Sequence, residues 1–195
     1  MTDAPDDAKR ALRAEIRERR QQRSDAQREA DAIDIAAQLD TLVQRFSATS
    51  LACYLSAPTE PGTRPFLNSG IERGLRILLP VTRADGLLDW TVADPDGGEF
   101  VGDYGVPEAK GEVLGPIAVN DVDLLIVPAA AVDRRGVRLG WGRGFYDKTL
   151  GSMVNCPPVY AVIYDSELVE SVPQEVHDQP VTGIVTPTRI VNLPN

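Results

Sequence analysis

The sequence predicts an α/β protein: one layered domain with a mainly parallel central sheet flanked by helices, and an N-terminal helical pair. Three observations predict it. Two segments with helical periodicity occupy residues 8–46. Short, nearly continuous apolar runs then recur along the chain, as strands buried on both faces require. Helical segments and Gly/Pro-rich turns separate several of these runs, which is the alternation of a layered α/β domain.

The elements follow in chain order. Residues 1–7 are polar and acidic; they are expected to be disordered and do not resemble a signal peptide. Residues 8–22 form a basic helix, in which Leu12 and Ile16, four apart, share a face. Ser24-Asp25-Ala26-Gln27 has the spacing of a capping box and opens a second helix. Ala32, Ile35, Ala36, Leu39, Leu42, Val43 and Phe46 continue it as a stripe of helical period. Strands are expected at Leu51–Leu55, Leu75–Leu79, Leu87–Ala93, Val122–Val127 and Val159–Tyr164, with a weaker one at Gly183–Thr186. Helices are expected over 63–73 and 143–152. Residues 94–118 carry six glycines and three prolines, so they predict loop with short strands. No repeat, linker or boundary divides the chain, and residues 1–195 are expected to form a single domain.

Composition narrows the function. Hydrophobic residues make up 43% and charged residues 25%, which are ordinary globular values. No apolar run approaches the roughly 20 residues that span a bilayer, so no membrane role is expected. Cys53 and Cys156 are too few for a disulfide framework, which points to a reducing cytoplasm. The net charge is −9, but residues 9–23 carry seven basic and two acidic side chains. An acidic body argues against nucleic-acid binding. One basic segment on it suits a small anion.

The richest stretch is Asp133-Arg-Arg-Gly-Val-Arg-Leu-Gly-Trp-Gly-Arg-Gly-Phe-Tyr-Asp147. Gly136, Gly140, Gly142 and Gly144 permit positive φ and a close approach to a ligand. Successive amides can then form an anion-binding concavity, aided by a helix expected to start near Gly144. Arg138 and Arg143 add bidentate cations, and Asp147 an oxygen suited to Mg²⁺. The arrangement fits neither the P-loop pattern nor the dinucleotide fingerprint. Residue chemistry reaches a phosphorylated small molecule, with Mg²⁺ as its candidate counter-ion, and leaves a glycine-rich surface turn as the other reading.

That stretch, with Val127-Pro128 before it, resembles the signature of the 5-formyltetrahydrofolate cyclo-ligase family. The resemblance extends over nearly the whole chain. Lys9-Arg10-Ala11-Leu12-Arg13 resembles the family's N-terminal basic motif, and Tyr54-Leu55-Ser56 with Glu60 its substrate-binding strand and loop. Gly105-Val106-Pro107-Glu108, Val172-Pro173 with His177-Asp178, and Ile184-Val185-Thr186 resemble its later elements. The resemblance implies the cyclo-ligase fold and an ATP- and Mg-dependent ligase acting on 5-formyltetrahydrofolate, cytoplasmic and monomeric. It assigns ATP to Lys9, Arg10, Arg13 and the run Arg138, Leu139, Gly140, Trp141, Gly142, Arg143, Gly144, Phe145 and Tyr146. Arg138 and Arg143 would stabilise the transferring phosphoryl group, and Asp147 and Asp178 would hold Mg²⁺. Glu60 would grip the pterin, among walls formed by Leu55, Tyr104, Trp141 and Phe145. His177 is expected to be an exposed loop residue with no catalytic part.

This chain departs from the family pattern at several places. Trp141 stands where Arg or Tyr is common, Arg143 where Lys or Gly is common, and Ala109 where Pro is usual. Ala129-Ala130-Ala131 replaces a glycine-rich stretch, and Thr182 an aspartate. They leave open an ATP-binding paralogue with altered substrate or no turnover. A phosphosugar isomerase or CoA-transferase-like enzyme is a third reading, disfavoured by the basic helix and the paired arginines.

Overall fold

The computed structural model describes residues 4–194. Helix α1 spans Ala4–Gln21 and α2 Asp25–Phe46. Helix α1 therefore begins before residue 8, and residues 4–7, expected to be disordered, are helical. Asp6 and Asp7 in the first turn complement the helix dipole there. Residues 1–3 lie outside the described part. The capping box at α2 closes as expected: Ser24 Oγ accepts from the Gln27 N–H at 3.2 Å, and the Ser24 N–H donates to the Gln27 side chain at 2.9 Å.

The strands are β1 Ser50–Ala52, β2 Arg76–Thr82, β3 Leu88–Val92, β4 Glu99–Val101, β5 Pro107–Ala109, β6 Val113–Leu114 and β7 Leu124–Pro128. They continue with β8 Ala131–Asp133, β9 Arg138–Leu139, β10 Val159–Val162, β11 Leu168–Val169, β12 Gly183–Val185 and β13 Ile190–Asn192. Helix α3 covers Arg64–Glu72 and α4 Phe145–Ser152. The main sheet has the order β13-β12-β10-β7-β1-β2-β3-β6. Its five central strands run parallel, while β13 and β3 are antiparallel to their inner neighbours. All six expected apolar strands lie in this sheet; of the short strands expected within 94–118, β6 joins it and β4 and β5 pair with each other.

Alternation along the strands builds two cores. Leu51, Ile77, Leu79, Leu124, Ile126 and Tyr160 face Ile35, Leu39 and Leu42 of α2 and Phe66 of α3. Ala52, Leu78, Leu125, Val127 and Ala161 point the other way, toward Val119 and Leu150 of α4. Both faces are thus covered, which explains the continuous apolar runs.

A second sheet, β11-β8-β9, went unread in the sequence because its strands have only two or three residues each. Helix α1 packs on it through Ile16, against Ala130, Ala131, Val137 and Leu139. Ala130 and Ala131 are fully buried in this contact, while Ala129 packs in the core with Leu125 and Val127. Arg20 of α1 is also buried here, with two bonds to Glu167 at 2.7 and 2.8 Å and one to the Ala129 carbonyl at 2.8 Å. The β4–β5 hairpin is held down by Glu108, whose Oε1 accepts from the Thr82 amide at 3.0 Å.

Candidate active site

Helix α1, the loop after β1, the β4–β5 turn and the β9–α4 loop enclose a cavity of about 630 Å³. Asp133 sets the loop's entry. It is fully buried and accepts from the amides of Arg135, Val137 and Val172 at 2.9, 3.0 and 3.1 Å. Burial would push its pKa up, but these bonds and the Arg135 guanidinium outweigh burial and leave it lowered.

The glycines serve two purposes. Gly142 and Gly144 have φ of +94° and +71°, and Gly144 forms the left-handed entry to α4 with no side-chain cap. Gly140 does not have positive φ. It is small for another reason: a Cβ there would lie 2.9 Å from Arg138 Nη1. The expectation that all four loop glycines serve positive φ therefore holds for three.

Helix α1 presents Lys9, Arg13 and Arg17 to the cavity, four residues apart. Arg13 Nε donates to the Gly140 carbonyl at 2.7 Å, which joins helix to loop. Lys9 Nζ bonds Glu175 at 2.5 Å and Asp178 at 2.8 Å. Burial lowers the Lys9 pKa, but those two bonds outweigh it and raise the ammonium above its ordinary value. Arg138 pairs with Asp147 at 2.9 Å. Arg143 lies 4.9 Å over the Tyr104 ring, and Tyr104 meets Phe145 edge-on at 5.3 Å. Arg13, Arg17 and Arg143 have no carboxylate within ion-pair distance among the described residues. They are the charge available to an anionic ligand.

Glu60 lies on the same cavity. Its Oε2 accepts the Ala57 amide at 2.9 Å. Burial pushes its pKa up; the Ala57 N–H, Arg20 and Trp141 draw it only partly back. Leu55, Tyr104, Trp141, Phe145 and Tyr146 all line the wall, as does Leu139.

Of the expected site residues, Arg10 alone is not on the cavity. It is exposed and pairs with Asp7 at 3.4 Å. One residue on from Lys9 is a turn of about 100° around the helix, which points it to solvent. Asp147 and Asp178 both line the cavity, but each is held by a protein cation. Among the described residues, the one group of three candidate metal ligands within 4.8 Å is Glu175, His177 and Asp178. His177 is exposed, as expected, yet borders the cavity. Arg17 and Glu175 lie outside the expected set, and Tyr54 was expected only as a member of the substrate-binding strand, not as a wall of the cavity. The spacing Lys9, Arg13, Arg17 could have revealed the first. Tyr54 looks like core in sequence because it continues a strand. Thr182 has a structural task, with its hydroxyl accepting from the Val159 amide at 3.0 Å.

Fold and site together define an α/β enzyme with an anion-binding loop, a basic helix and a half-buried carboxylate around one cavity. The profile of the 5-formyltetrahydrofolate cyclo-ligase family matches residues 5–187. A 5-formyltetrahydrofolate cyclo-ligase of Mycolicibacterium smegmatis is 35% identical over 187 residues, covering 93% of this chain and 95% of its own. One from Escherichia coli K12 is 31% identical over 180 residues, covering 90% and 98%. The 5,10-methenyltetrahydrofolate synthetase structure from Aquifex aeolicus superposes with a TM-score of 0.78 at 26% identity, over 96% of this chain and 93% of that one. A Mycoplasma pneumoniae synthetase, at 18% identity and TM-score 0.73, shares the fold over 92% and 98%. The chain belongs to the 5-formyltetrahydrofolate cyclo-ligase family, and it is a ligase of folate metabolism. No helix among the described residues is long and apolar enough to cross a membrane.

Proposed function

We propose that this chain converts 5-formyltetrahydrofolate to 5,10-methenyltetrahydrofolate, with ATP consumed to ADP and phosphate. The observation that carries the reading is the placement, on one cavity, of three guanidinium groups with no carboxylate partner among the described residues and of the half-buried Glu60 carboxylate. The formyl oxygen accepts the γ-phosphoryl group, the N10 amine attacks the activated carbon, and phosphate leaves as the ring closes.

The residues position and neutralise; no covalent nucleophile is needed. Lys9, Arg13, Arg138 and Arg143 bind phosphate oxygens with the amides of the loop. Arg143 and Arg138 offset the charge that builds on the transferring group. Glu60 accepts from the aminopyrimidine edge, and Leu55, Tyr104, Trp141 and Phe145 enclose the ring and exclude water. Asp147 and Asp178 would hold Mg²⁺. Their oxygen donors suit that ion, and each already binds a cation, Arg138 or Lys9. Magnesium, when bound, would supply positive charge to offset that of the phosphates. The same reading carries one domain acting as a cytoplasmic monomer, with no nucleic-acid or membrane partner. The free thiols of Cys53 and Cys156 fit a reducing compartment.

The test is formation of the methenyl product, followed by its near-ultraviolet absorbance, with purified protein, 5-formyltetrahydrofolate and Mg-ATP. No product would refute the reading, and ADP release without folate would point to a different ATPase. Arg143→Ala should raise KM for ATP about tenfold, the scale of one charge-assisted bond. An unchanged ATP dependence would remove Arg143 from its role.

A further inference from the structure

Helix α1 brings three cations to the cavity, and two of them are already held. Lys9 pairs with Glu175 and Asp178, and Arg13 gives Nε to the Gly140 carbonyl. Arg17 lines the same cavity, is exposed, and has no carboxylate within ion-pair distance among the described residues. What it meets is the face of Trp141, with its Cζ 5.5 Å from the ring centroid. Arg20 lies 5.1 Å from the same centroid and is itself fixed on Glu167 and the Ala129 carbonyl. The ring is therefore a braced support for the Arg17 guanidinium.

Helix geometry gives the place of Arg17 along the cavity. Residues four apart rise about 6 Å along the axis. Lys9 marks the end that carries Asp178. Arg13 comes next and lies over the loop, where a Cβ on Gly142 would stand 3.5 Å from its Cζ. Arg17 is one turn further. There Trp141, whose backbone belongs to the loop, reaches Glu60 as a hydrogen-bonding neighbour. Arg17 thus stands where the loop end of the cavity meets the Glu60 end. Arg13 and Arg17 also repel each other. Burial does most to lower the Arg13 pKa, and Arg17 lowers it further against the pull of Asp6, Asp178 and Glu175. An anion bound by both relieves that repulsion.

In the reaction proposed above, the phosphoryl group crosses from one end to the other. The bond from the γ-phosphorus to the β–γ bridging oxygen breaks as one to the formyl oxygen forms, and ADP leaves with the electron pair. The remaining oxygens of the group stay negative throughout the transfer. A guanidinium at the join meets them best in transit, which lowers the barrier more than it tightens ATP.

We propose that Arg17, held on the face of Trp141, is a further catalytic residue whose guanidinium binds the phosphoryl oxygens as they pass from ATP to the formyl oxygen. The assignment rests on the reaction proposed above. It also gives the uncharged Trp141 a task within a loop suited to phosphate: its ring orients a cation supplied by the helix.

The test is steady-state kinetics of Arg17→Gln with Mg-ATP and 5-formyltetrahydrofolate, beside calorimetry of Mg-ATP binding without folate. kcat should fall about 100-fold, while Kd for Mg-ATP should change by less than about threefold. Arg17→Lys should keep more turnover than Arg17→Gln. Guanidinium ion, added below the concentration that unfolds the protein, should restore part of the turnover of Arg17→Ala, which a merely structural role would not allow. Trp141→Leu should lower kcat in the intact protein and lower it little further in Arg17→Gln, because the two side chains act together. Unchanged kcat in Arg17→Gln would overturn the proposal. So would a loss of Mg-ATP affinity as large as the loss in kcat/KM, which would make Arg17 an ordinary ATP ligand. Additive losses would overturn the part given to Trp141. If the intact protein forms the methenyl product and Arg17→Gln forms it as fast, the role of Arg17 alone fails. If the intact protein forms none, the reaction itself falls and this role with it.

Discussion

Glu60 shows how a residue's surroundings set its chemistry. A carboxylate in a Pro-Gly turn looks solvated in sequence, yet here it is enclosed by Tyr54, Trp141 and the Ala57 amide. Burial raises its pKa above the ordinary glutamate value of 4.5. Its folded form therefore binds a proton more tightly than the unfolded chain does. Ionised Glu60 costs stability above that window, and the cost disappears as pH falls through it. Binding runs the opposite way, because only the carboxylate accepts from two N–H groups. Affinity for 5-formyltetrahydrofolate should fall on acidification with an apparent pKa above 4.5. Glu60→Gln should bind more weakly and lose that pH dependence. Calorimetry across pH checks both, and a retained dependence in Glu60→Gln would assign the titration elsewhere. Of the site residues, those on the Gly-rich loop were legible, because glycines and arginines at short spacing have few other uses. What was not legible is the hydrogen-bonding state of the tyrosine and tryptophan side chains, because it depends on neighbours distant in sequence.

Helix α1 is the element that makes the site. Its apolar anchor, Ile16, and its buried Arg20 fix it on the β11-β8-β9 sheet, which turns Lys9, Arg13 and Arg17 toward the loop. Arg20→Ala would leave Glu167 buried and uncompensated. It should lower stability by about 3–5 kcal/mol in urea denaturation. Replacing both partners, as in Arg20→Leu with Glu167→Leu, should cost much less. A double variant as unstable as the single one would contradict this account. The helix itself was legible from its periodicity, including the face shared by Leu12 and Ile16. What it packs on was not, because β8, β9 and β11 are too short to show a period. The position of Arg10 was missed for a related reason: a basic motif in sequence does not say which of its members faces inward. The longer strands were found because burial on both faces leaves them continuously apolar.

At the scale of the whole molecule, the sheet's two covered faces and the β9–α4 loop place a basic helix opposite an acidic segment at 175–178. Lys9 with Asp178, and Arg138 with Asp147, pair the expected phosphate ligands with the expected metal ligands. A metal-bound nucleotide can replace both pairs at once, since it brings both signs of charge. The account stands on coupling between that nucleotide and the folate in one cavity. Its most direct test is to measure ADP and methenyl product together in one reaction, with and without 5-formyltetrahydrofolate and Mg²⁺. The account predicts one ADP per methenyl product, and neither without folate or metal. Steady ADP release in the absence of folate, or product formed without ADP, would contradict it.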